Sequence, residues 1–393
     1  EIFSLMYDTV TNLPTSWEHR IQNHAMAAAL YAQRYRATKE LNDLRSAARL
    51  ADFILQSQTP DGAYRNGKVH YTSVVYIAKA IMEVMAEEKK LADQSEEWKE
   101  NYSRHYASVK RAMDELAKNR DNIETEGELT FEDGMISCSY AQLAMFGLLQ
   151  PKGSTERKKY MDAAEYLYQS HRCLSQHLIP DSRVHGASIR FWESQYDVLT
   201  HPNFVNSPHG WSAWRIYGVK YLYEETGKEE YLIDMMNALG SCAQLLDPSS
   251  DRLNWAFVCD PYVKVKQFVE DENQKGKGIH KDAVIGRQYL PMISDWYRAP
   301  KDTWVTGYWG YDGGCCDNDV HEIFKCMGEV VLASAYFHLR PDGTYIAWNC
   351  SARKEGNLWN ITPSESCVQK IYTNTDVIAE SHTFVELIHC ISD

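Results

Sequence analysis

The amino-acid sequence predicts a mainly α-helical protein, an (α/α) toroid of about six helical hairpins followed by a short β-rich C-terminal segment. Three observations support this fold class. Apolar residues recur at helical spacing in paired segments that short polar turns separate. The first segment of most pairs is apolar nearly all round, whereas the second carries a charged face. After residue 340 the pattern changes to the alternation that is typical of strands.

Four helix pairs and one further helix follow one another along the chain. In the first pair, Ile21, Ala25 and Ala28 keep helical spacing, and Thr59-Pro60-Asp61-Gly62 breaks the chain after its second helix. The predicted pairs are residues 17–38 with 41–58, 71–87 with 97–118, 135–149 with 155–174, and 211–226 with 229–246. The further helix is expected from residue 318 to residue 337.

The two members of a pair differ in the way that an inner and an outer ring of helices would differ. Residues 70–85, 135–149 and 318–335 are rich in small apolar side chains, whereas residues 97–100 and 156–159 are charged. A solenoid is disfavoured, because the repeats run from roughly 40 to 75 residues without a fixed period. The helices that would complete the ring are expected from residues 1–13, from residues 283–299 or from a polypeptide outside this chain.

The C-terminal residues are expected to form strands. Residues 344–348 alternate between apolar and polar side chains, and residues 366–372 and 383–388 are also suited to strands. We therefore divide the chain into a toroidal catalytic domain, residues 1–340, and a β-rich segment, residues 341–393, which could be part of an incomplete sandwich.

Composition narrows the classes of partner. A formal net charge of -13 argues against nucleic acid or an anionic membrane surface. No run of about 18 apolar residues occurs, so no membrane span is expected. The ten cysteines include no CxxC pair, and Cys138, Cys242 and Cys326 are expected to be buried thiols. Residue 1 is expected to be a cut or processed end, and a bacterial periplasmic or secreted location is favoured without excluding the cytoplasm.

Among the loops that precede inner helices, the long non-helical stretch of residues 190–211 is the richest in groups that transfer protons. Glu193 and Asp197 are candidates for the acid and the base of a glycosidase, with His209 assisting. A uronate lyase would instead use His209 or Tyr196 as the base. Arg190 and Asn206 are further candidates for substrate contacts in this stretch, and an ordinary connecting loop is the structural alternative.

Other loops that precede inner helices supply candidate substrate contacts. His70 and Tyr71 open one such helix, with capping and packing as the alternative. Glu132 and Asp133 precede the next, where capping of the helix N-terminus is favoured slightly over catalysis. Eleven Trp and 25 Tyr exceed what a helical core needs, and both side chains stack on sugar faces. The remaining candidates are Trp211, Trp304, Trp309, Tyr311, Asp317 and Asn318.

The segment Cys315-Cys316-Asp317-Asn318, the apolar helix after it and the turn at Asp342-Gly343 resemble glycoside hydrolase family 127, the bacterial β-L-arabinofuranosidases. The resemblance covers residues 205–350. It implies an α/α barrel joined to a β-domain, with Cys315 as nucleophile and a zinc ion held by both cysteines and an upstream Glu-x-Cys. That Glu-x-Cys is absent near residues 208–211, so the fold carries over better than the mechanism, and we expect no cofactor.

More broadly, the chain resembles α/α-toroid carbohydrate-active enzymes, which include β-glucuronidases, unsaturated-uronide hydrolases and uronate lyases. The leading hypothesis is a glycoside hydrolase that acts on an oligosaccharide or polysaccharide from a uronate-containing glycan. A polysaccharide lyase that uses a His or Tyr base is the first alternative. A non-catalytic glycan-binding or scaffold protein is the second.

Overall fold

The computed structural model describes two compact units, Glu1–Glu128 with Met135–Gln169, and Leu129–Gly134 with Ser170–Asp393. The described residues are Asp8, 21–124, 133–175, His177, His185, Gly186, 212–243, 325–379 and 385–390, together with the backbone of the strands between residues 246 and 290.

The first unit consists of helices that follow one another as antiparallel neighbours. They are α1 (Ile21–Thr38), α2 (Leu41–Leu55), α3 (Tyr71–Val74), α4 (Ile77–Ala92), α5 (Glu96–Lys118), α6 (Asp133–Leu148) and α7 (Thr155–His171). A small antiparallel hairpin of β1 (Arg65–Asn66) and β2 (Val69–His70) precedes α3. The predicted pairs of residues 17–38 with 41–58 and of residues 135–149 with 155–174 are confirmed in their described parts, with ends that shift by a few residues. In the predicted pair of residues 71–87 with 97–118, two helices replace the first member.

The second unit contains one helix pair and most of the strands. The pair is α8 (Ser212–Thr226) and α9 (Glu229–Ala243). The strands that follow it are β3 (Leu246–Asp247), β4 (Arg252–Leu253), β5 (Ala256–Val258), β6 (Val263–Asp271), β7 (Gln274–Ile285) and β8 (Gln288–Leu290). Antiparallel pairing joins β3 with β4, β5 with β8, and β6 with β7.

Strands β7 and β8 correct one expectation. Residues 283–299 were expected to supply a helix, but their described part lies in the end of β7 and in β8. The alternation Val263-Lys264-Val265-Lys266 in β6 has the period of a strand, and β7 pairs with β6 along almost its whole length. This long-range pairing is what makes residues 283–285 a strand.

The C-terminal strands form two sheets. They are β9 (Ser334–Leu339), β10 (Tyr345–Trp348), β11 (Cys350–Glu355), β12 (Leu358–Pro363), β13 (Lys370–Thr373), β14 (Ile378–Ala379) and β15 (Glu386–His389). The order is β10-β9-β13-β15 in one sheet and β11-β12-β14 in the other. Phe337, Trp359, Ile361 and Ile371 pack in the apolar cluster of this region. The predicted fold class is confirmed, since the chain is mainly helical, with α/α hairpins and a β-rich C-terminal segment.

The last predicted helix is shorter than expected. The sequence predicts a helix from residue 318 to residue 337, but a π-helical turn, Met327–Leu332, ends it and β9 begins at Ser334. The run Ser334-Ala335-Tyr336-Phe337 has no charged residue and is buried on both faces, so its pattern does not distinguish a buried helix from a central strand. The segment is a strand because it pairs with β10 on one side and with β13 on the other. The domain boundary at residue 340 remains a prediction.

Helices α4, α6 and α8 have the burial that the sequence predicts for an inner ring. Residues 77–85, 136–144 and 213–223 are buried without interruption. The outer helix α5, in contrast, buries one face, which includes Trp98, Val109 and Met113. Cys138, Cys242 and Cys326 are buried free thiols, as expected. None of the described helices is both long and apolar enough to cross a membrane.

Helices α3 and α4 replace the single helix predicted over residues 71–87. Val75 has an extended backbone, with φ -135° and ψ 145°, and separates the two. The Gln142 side chain of α6 enters this break, where it accepts from the Ala78 amide at 2.8 Å and donates to the Thr72 carbonyl at 2.7 Å. The break is stable because one side chain replaces the backbone hydrogen bonds that it removes.

A buried histidine joins three helices of the first unit. His105 of α5 is fully buried, with Nδ1 2.9 Å from Glu88 Oε2 and Nε2 3.2 Å from Asp52 Oδ1. Arg104 also binds Asp52, at 2.6 and 2.8 Å. Burial by itself lowers the pKa of His105, but hydrogen bonds and charge attraction from the two carboxylates outweigh it and raise that pKa to about 8.

We expect this histidine to make the first unit less stable as pH rises. Because the folded-state pKa lies above the ordinary value of 6.5, the stabilisation is complete below pH 6.5 and is lost as pH rises through about 8. A shift of this size corresponds to about 2 kcal/mol. Urea unfolding at pH 6 and pH 9 should show this loss in the wild type and not in His105→Gln. His389→Gln, at an exposed histidine, is the control, and equal pH dependence in all three proteins would contradict the assignment.

Candidate functional site

Most of the residues that the sequence nominates lie outside the described part of the chain. This holds for the proposed catalytic residues Glu193, Asp197 and His209. It also holds for Glu132, Arg190, Tyr196, Asn206, Trp211, Trp304, Trp309, Tyr311, Cys315, Cys316, Asp317 and Asn318. Asp133 is the first residue of α6, and its side chain is not among those described. The roles of all these residues stay predictions.

His70 and Tyr71 lie where β2 meets α3. Tyr71 is the half-buried first residue of α3, and His70 is its N-cap, only 3% exposed. The His70 Nδ1 atom accepts a hydrogen bond from the Ser73 backbone N–H at 3.1 Å. The other ring nitrogen, Nε2, lies 3.1 Å from Glu115 Oε2. Since Nδ1 accepts, Nε2 carries the proton and donates it to Glu115, which describes a neutral ring.

Glu115 is the buried acid of this site, contributed by the last turn of α5. Its side chain is 6% exposed. One carboxylate oxygen accepts from His70, and the other accepts from the Asn119 Nδ2 group at 2.6 Å. The Asn119 backbone N–H also bonds to the Glu115 carbonyl, at 3.0 Å. Two side-chain donors therefore fix the orientation of this carboxylate.

These residues line a cavity of about 210 Å³ beside the C-terminal end of α5. The described residues of its lining are His70, Ser73, Glu115, Leu116, Asn119, Asn122, Ile123 and Glu124. At the rim, Arg65 binds both oxygens of Glu124, at 3.0 and 2.8 Å. The Arg65 guanidinium holds the pKa of Glu124 below its ordinary value, so that carboxylate is ionised at neutral pH.

Ser73, His70 and Glu115 form a structural hydrogen-bond network and not a pair of a nucleophile and a base. Ser73 Oγ lies 3.0 Å from His70 Nδ1, which superficially matches a nucleophile beside a base. Its shortest hydrogen bond, however, is the one that the Ser73 hydroxyl donates to the Glu124 carbonyl oxygen at 2.6 Å. The His70 Nδ1 lone pair already accepts the Ser73 amide. This is helix capping combined with a tether to the segment after α5.

Sequence reasoning found His70 but missed Glu115 and Asn119. The available signal was their spacing of four residues near the end of a helix, which allows a side-chain pair. That spacing alone is common on solvated helix faces. The partner that distinguishes this carboxylate, His70, lies 45 residues earlier and is brought to it only by the packing of α3 against α5.

A second polar cluster lies in the other unit, on the α8–α9 pair. Arg215 of α8 is 1% exposed and binds Asp234 of α9 at 2.7 Å. The Arg215 guanidinium also reaches His177 Nε2 at 3.0 Å and the Gly186 carbonyl oxygen at 3.3 Å. Burial first, and then the Arg215 charge, lowers the pKa of His177 to about 4. This histidine is therefore neutral and accepts a hydrogen bond from Arg215.

The cluster fixes the chain just before residues 190–211. His185 packs edge-on against the His177 ring, with a centroid distance of 5.6 Å. Gly186 has φ +84°, and a Cβ atom there would lie 2.7 Å from the backbone of Asn237 in α9. Only glycine combines this backbone conformation with such close contact.

Metal chemistry has no candidate ligand set in the part of the chain that the structure covers. Among those residues, no group of three or more His, Cys, Asp or Glu side chains is arranged to hold a metal ion. The cysteine pair that the family resemblance relates to zinc, Cys315 and Cys316, lies outside them.

Comparison with known proteins gives distant likenesses only. No family model and no curated protein matches the chain. A solved polysaccharide lyase is 17% identical, with 64% of this chain and 43% of the lyase covered and a TM-score of 0.36. An unsaturated glucuronyl hydrolase specific for heparin is 13% identical, with 60% of each chain covered and a TM-score of 0.38. A glycosyl hydrolase family 88 protein from Bacteroides vulgatus is 12% identical, with 72% and 74% covered and a TM-score of 0.38.

The chain thus spans less than half the length of the lyase and about three fifths of the glucuronyl hydrolase. Identities of this size, with TM-scores below 0.5, do not place the chain in a family. The resemblance to glycoside hydrolase family 127 therefore stays a prediction.

The close approach of Gly186 to α9 can be tested by adding a methyl group. Gly186→Ala should lower the free energy of unfolding by about 2 kcal/mol or more, because backbone strain and a clash with Asn237 add together. Gly153→Ala is the matched control, since Gly153 also has positive φ, +73°, but has no atom within 4 Å of the added carbon. Urea unfolding monitored by circular dichroism compares the two variants. Equal destabilisation would show that the contact with α9 contributes nothing to the free energy of unfolding.

Proposed function

We propose that the protein is a glycoside hydrolase that cleaves oligosaccharides of a complex, uronate-containing glycan. The observation that carries the proposal is the segment of residues 190–211, where Glu193 and Asp197 stand four residues apart among aromatic and hydrogen-bonding side chains. Most glycosidases need two carboxylates of this kind, one protonated and one ionised.

The proposed chemistry divides the work between these two carboxylates. One of them, as the acid, protonates the oxygen of the glycosidic bond as that bond breaks. The other acts on the opposite face of the sugar, where it activates water or attacks the anomeric carbon. His209 would assist proton transfer, and Trp211, Trp304, Trp309 and Tyr311 would stack on sugar rings.

The polar cluster on α8 and α9 supports this assignment indirectly. Buried Arg215 and Asp234 hold His177 and Gly186 in place immediately before the proposed catalytic segment. Catalytic carboxylates must stay within a fraction of an ångström of their productive positions. A rigid attachment on the N-terminal side of the segment, and the buried helix α8 on its C-terminal side, would both serve that requirement.

A polysaccharide lyase is the second candidate, and it is favoured by a different set of side chains in the same segment. His209 or Tyr196 could remove the C5 proton of a uronate, while Arg190 and Asn206 neutralise its carboxylate. Elimination leaves a conjugated unsaturated uronide, whereas hydrolysis does not. A glycan-binding protein without catalysis is the third candidate.

Replacement of the proposed acid or base tests the first candidate. Glu193→Gln and Asp197→Asn should each reduce the release of reducing ends from uronate-containing oligosaccharides by about 10²-fold or more, with folding intact by circular dichroism. Glu230→Gln, at an exposed carboxylate on α9, is the control and should retain wild-type turnover. Near-wild-type turnover in Glu193→Gln would remove that residue from the mechanism.

Ultraviolet absorbance separates hydrolase from lyase in the same assay. If the protein is a hydrolase, reducing ends should appear without new absorbance near the wavelength of an unsaturated uronide. A rise in absorbance in step with the reducing ends would establish β-elimination. In that case His209→Ala and Tyr196→Phe become the informative variants.

A further inference from the structure

We propose that the cavity lined by His70, Ser73, Glu115 and Asn119 binds a single neutral sugar ring through the ring's hydroxyl groups. The choice of a sugar as ligand rests on the proposed function. The preference for a neutral ring, and the residues that recognise it, come from the cavity itself.

The size of the cavity suits one ring. Its volume of about 210 Å³ is well below the roughly 300–1,000 Å³ of pockets that hold drug-sized ligands. It corresponds to about seven water molecules, at about 30 Å³ each. An oligosaccharide would therefore place one residue in the cavity and the others outside it.

The hydrogen-bonding capacity that remains in the cavity is mostly that of an acceptor. Each oxygen of Glu115 accepts one side-chain hydrogen bond, from His70 or from Asn119, whereas a carboxylate has about four acceptor positions. Asn119 and Asn122 are exposed at the cavity, where the oxygens of their side chains can accept further hydrogen bonds and the Asn122 amide can also donate. Sugar hydroxyls, which both donate and accept, match this set of groups.

The charge of the lining opposes an anion. Among the described residues of the lining, Glu115 and Glu124 are carboxylates and none is Lys or Arg. Arg65 lies behind Glu124 and is already bound to both of its oxygens. His70 is neutral by its hydrogen-bonding pattern and directs its one N–H at Glu115. A uronate ring would bring its carboxylate against Glu115 without a cation to offset the repulsion.

The recognising groups are already held in place. His70 and Ser73 are 3% and 1% exposed, and the Glu115 side chain is 6% exposed. Each of the three makes at least two hydrogen bonds within the protein. A ligand would thus order few side chains on binding, which reduces the entropic cost of association.

The experiment is a titration of the full chain with D-glucose, D-galactose, D-glucosamine and D-glucuronate, followed by saturation-transfer NMR and by chemical shifts of the protein. The two neutral sugars should bind saturably and D-glucuronate at least tenfold more weakly. Glu115→Gln should weaken binding of the neutral sugars about tenfold, because it removes a charged acceptor. Asn122→Ala, at an exposed position where folding is not at risk, should weaken it several-fold. Glu100→Gln, exposed on the same helix, is the control and should bind as the wild type does.

Several results would overturn the proposal. One is that neither neutral sugar binds saturably. Another is that D-glucuronate binds more tightly than the neutral sugars, or that the D-glucosamine cation binds tenfold more tightly than they do. The last is that Glu115→Gln and Asn122→Ala both bind the neutral sugars with wild-type affinity. The titration requires no turnover, so it stands apart from the proposed function. Loss of hydrolysis in Glu193→Gln with intact sugar binding supports both, whereas hydrolysis by a protein that binds neither neutral sugar rejects the cavity alone.

Discussion

Helices that are buried all round have no water to satisfy their polar groups, and this constraint determines much of the described structure. Helix α4 illustrates it. The side chains of Lys79 and Glu83 are almost fully buried, and Lys79 Nζ lies 2.5 Å from Glu83 Oε1. Glu87 forms an ion pair with Arg36 of α1. The single side chain of Gln142 satisfies both ends of the break between α3 and α4. Removing one partner from such a set leaves an uncompensated polar group in the core, which is why these contacts specify one packing arrangement.

The need to satisfy buried polar groups also explains the His70–Glu115 site and the Arg215 cluster. In the first unit, His70 must satisfy both ring nitrogens where β2 enters α3, and it does so with the Ser73 amide and Glu115. Glu115 then needs a second donor and takes it from Asn119. In the second unit, Arg215 is buried in α8 and distributes its donors among Asp234, His177 and the Gly186 carbonyl. This structural pairing is compatible with the proposed binding of a ligand, because a carboxylate that accepts from two donors still has free acceptor positions.

The proposed sugar-binding cavity lies in the first unit, whereas the proposed catalytic segment belongs to the second. The two proposals therefore rest on separate observations. The acid and base chemistry is a proposal for residues 190–211, and the resemblance to family 127 covers residues 205–350. The Glu-x-Cys that this resemblance implies is absent near Pro208-His209-Gly210-Trp211, so a zinc site at Cys315 and Cys316 would lack its other two ligands. For this reason the proposal is a carboxylate mechanism and not a thiolate one.

The sequence by itself determined most of the helix pairs, the burial of Cys138 and Cys242, and three of the strands after residue 340, because these depend on local periodicity. It did not predict β11, β12 or β14. It nominated His70 as a substrate contact, with capping as the alternative. Only the tertiary structure decided that Val75 interrupts a helix, that Ser334–Leu339 is a strand, and that Glu115 is the partner of His70. Each of these depends on a group far away in the chain, namely Gln142, the strand β13, or the last turn of α5. Local spacing carries no information about such partners, and so the sequence could propose the chemistry but not the arrangement that holds it.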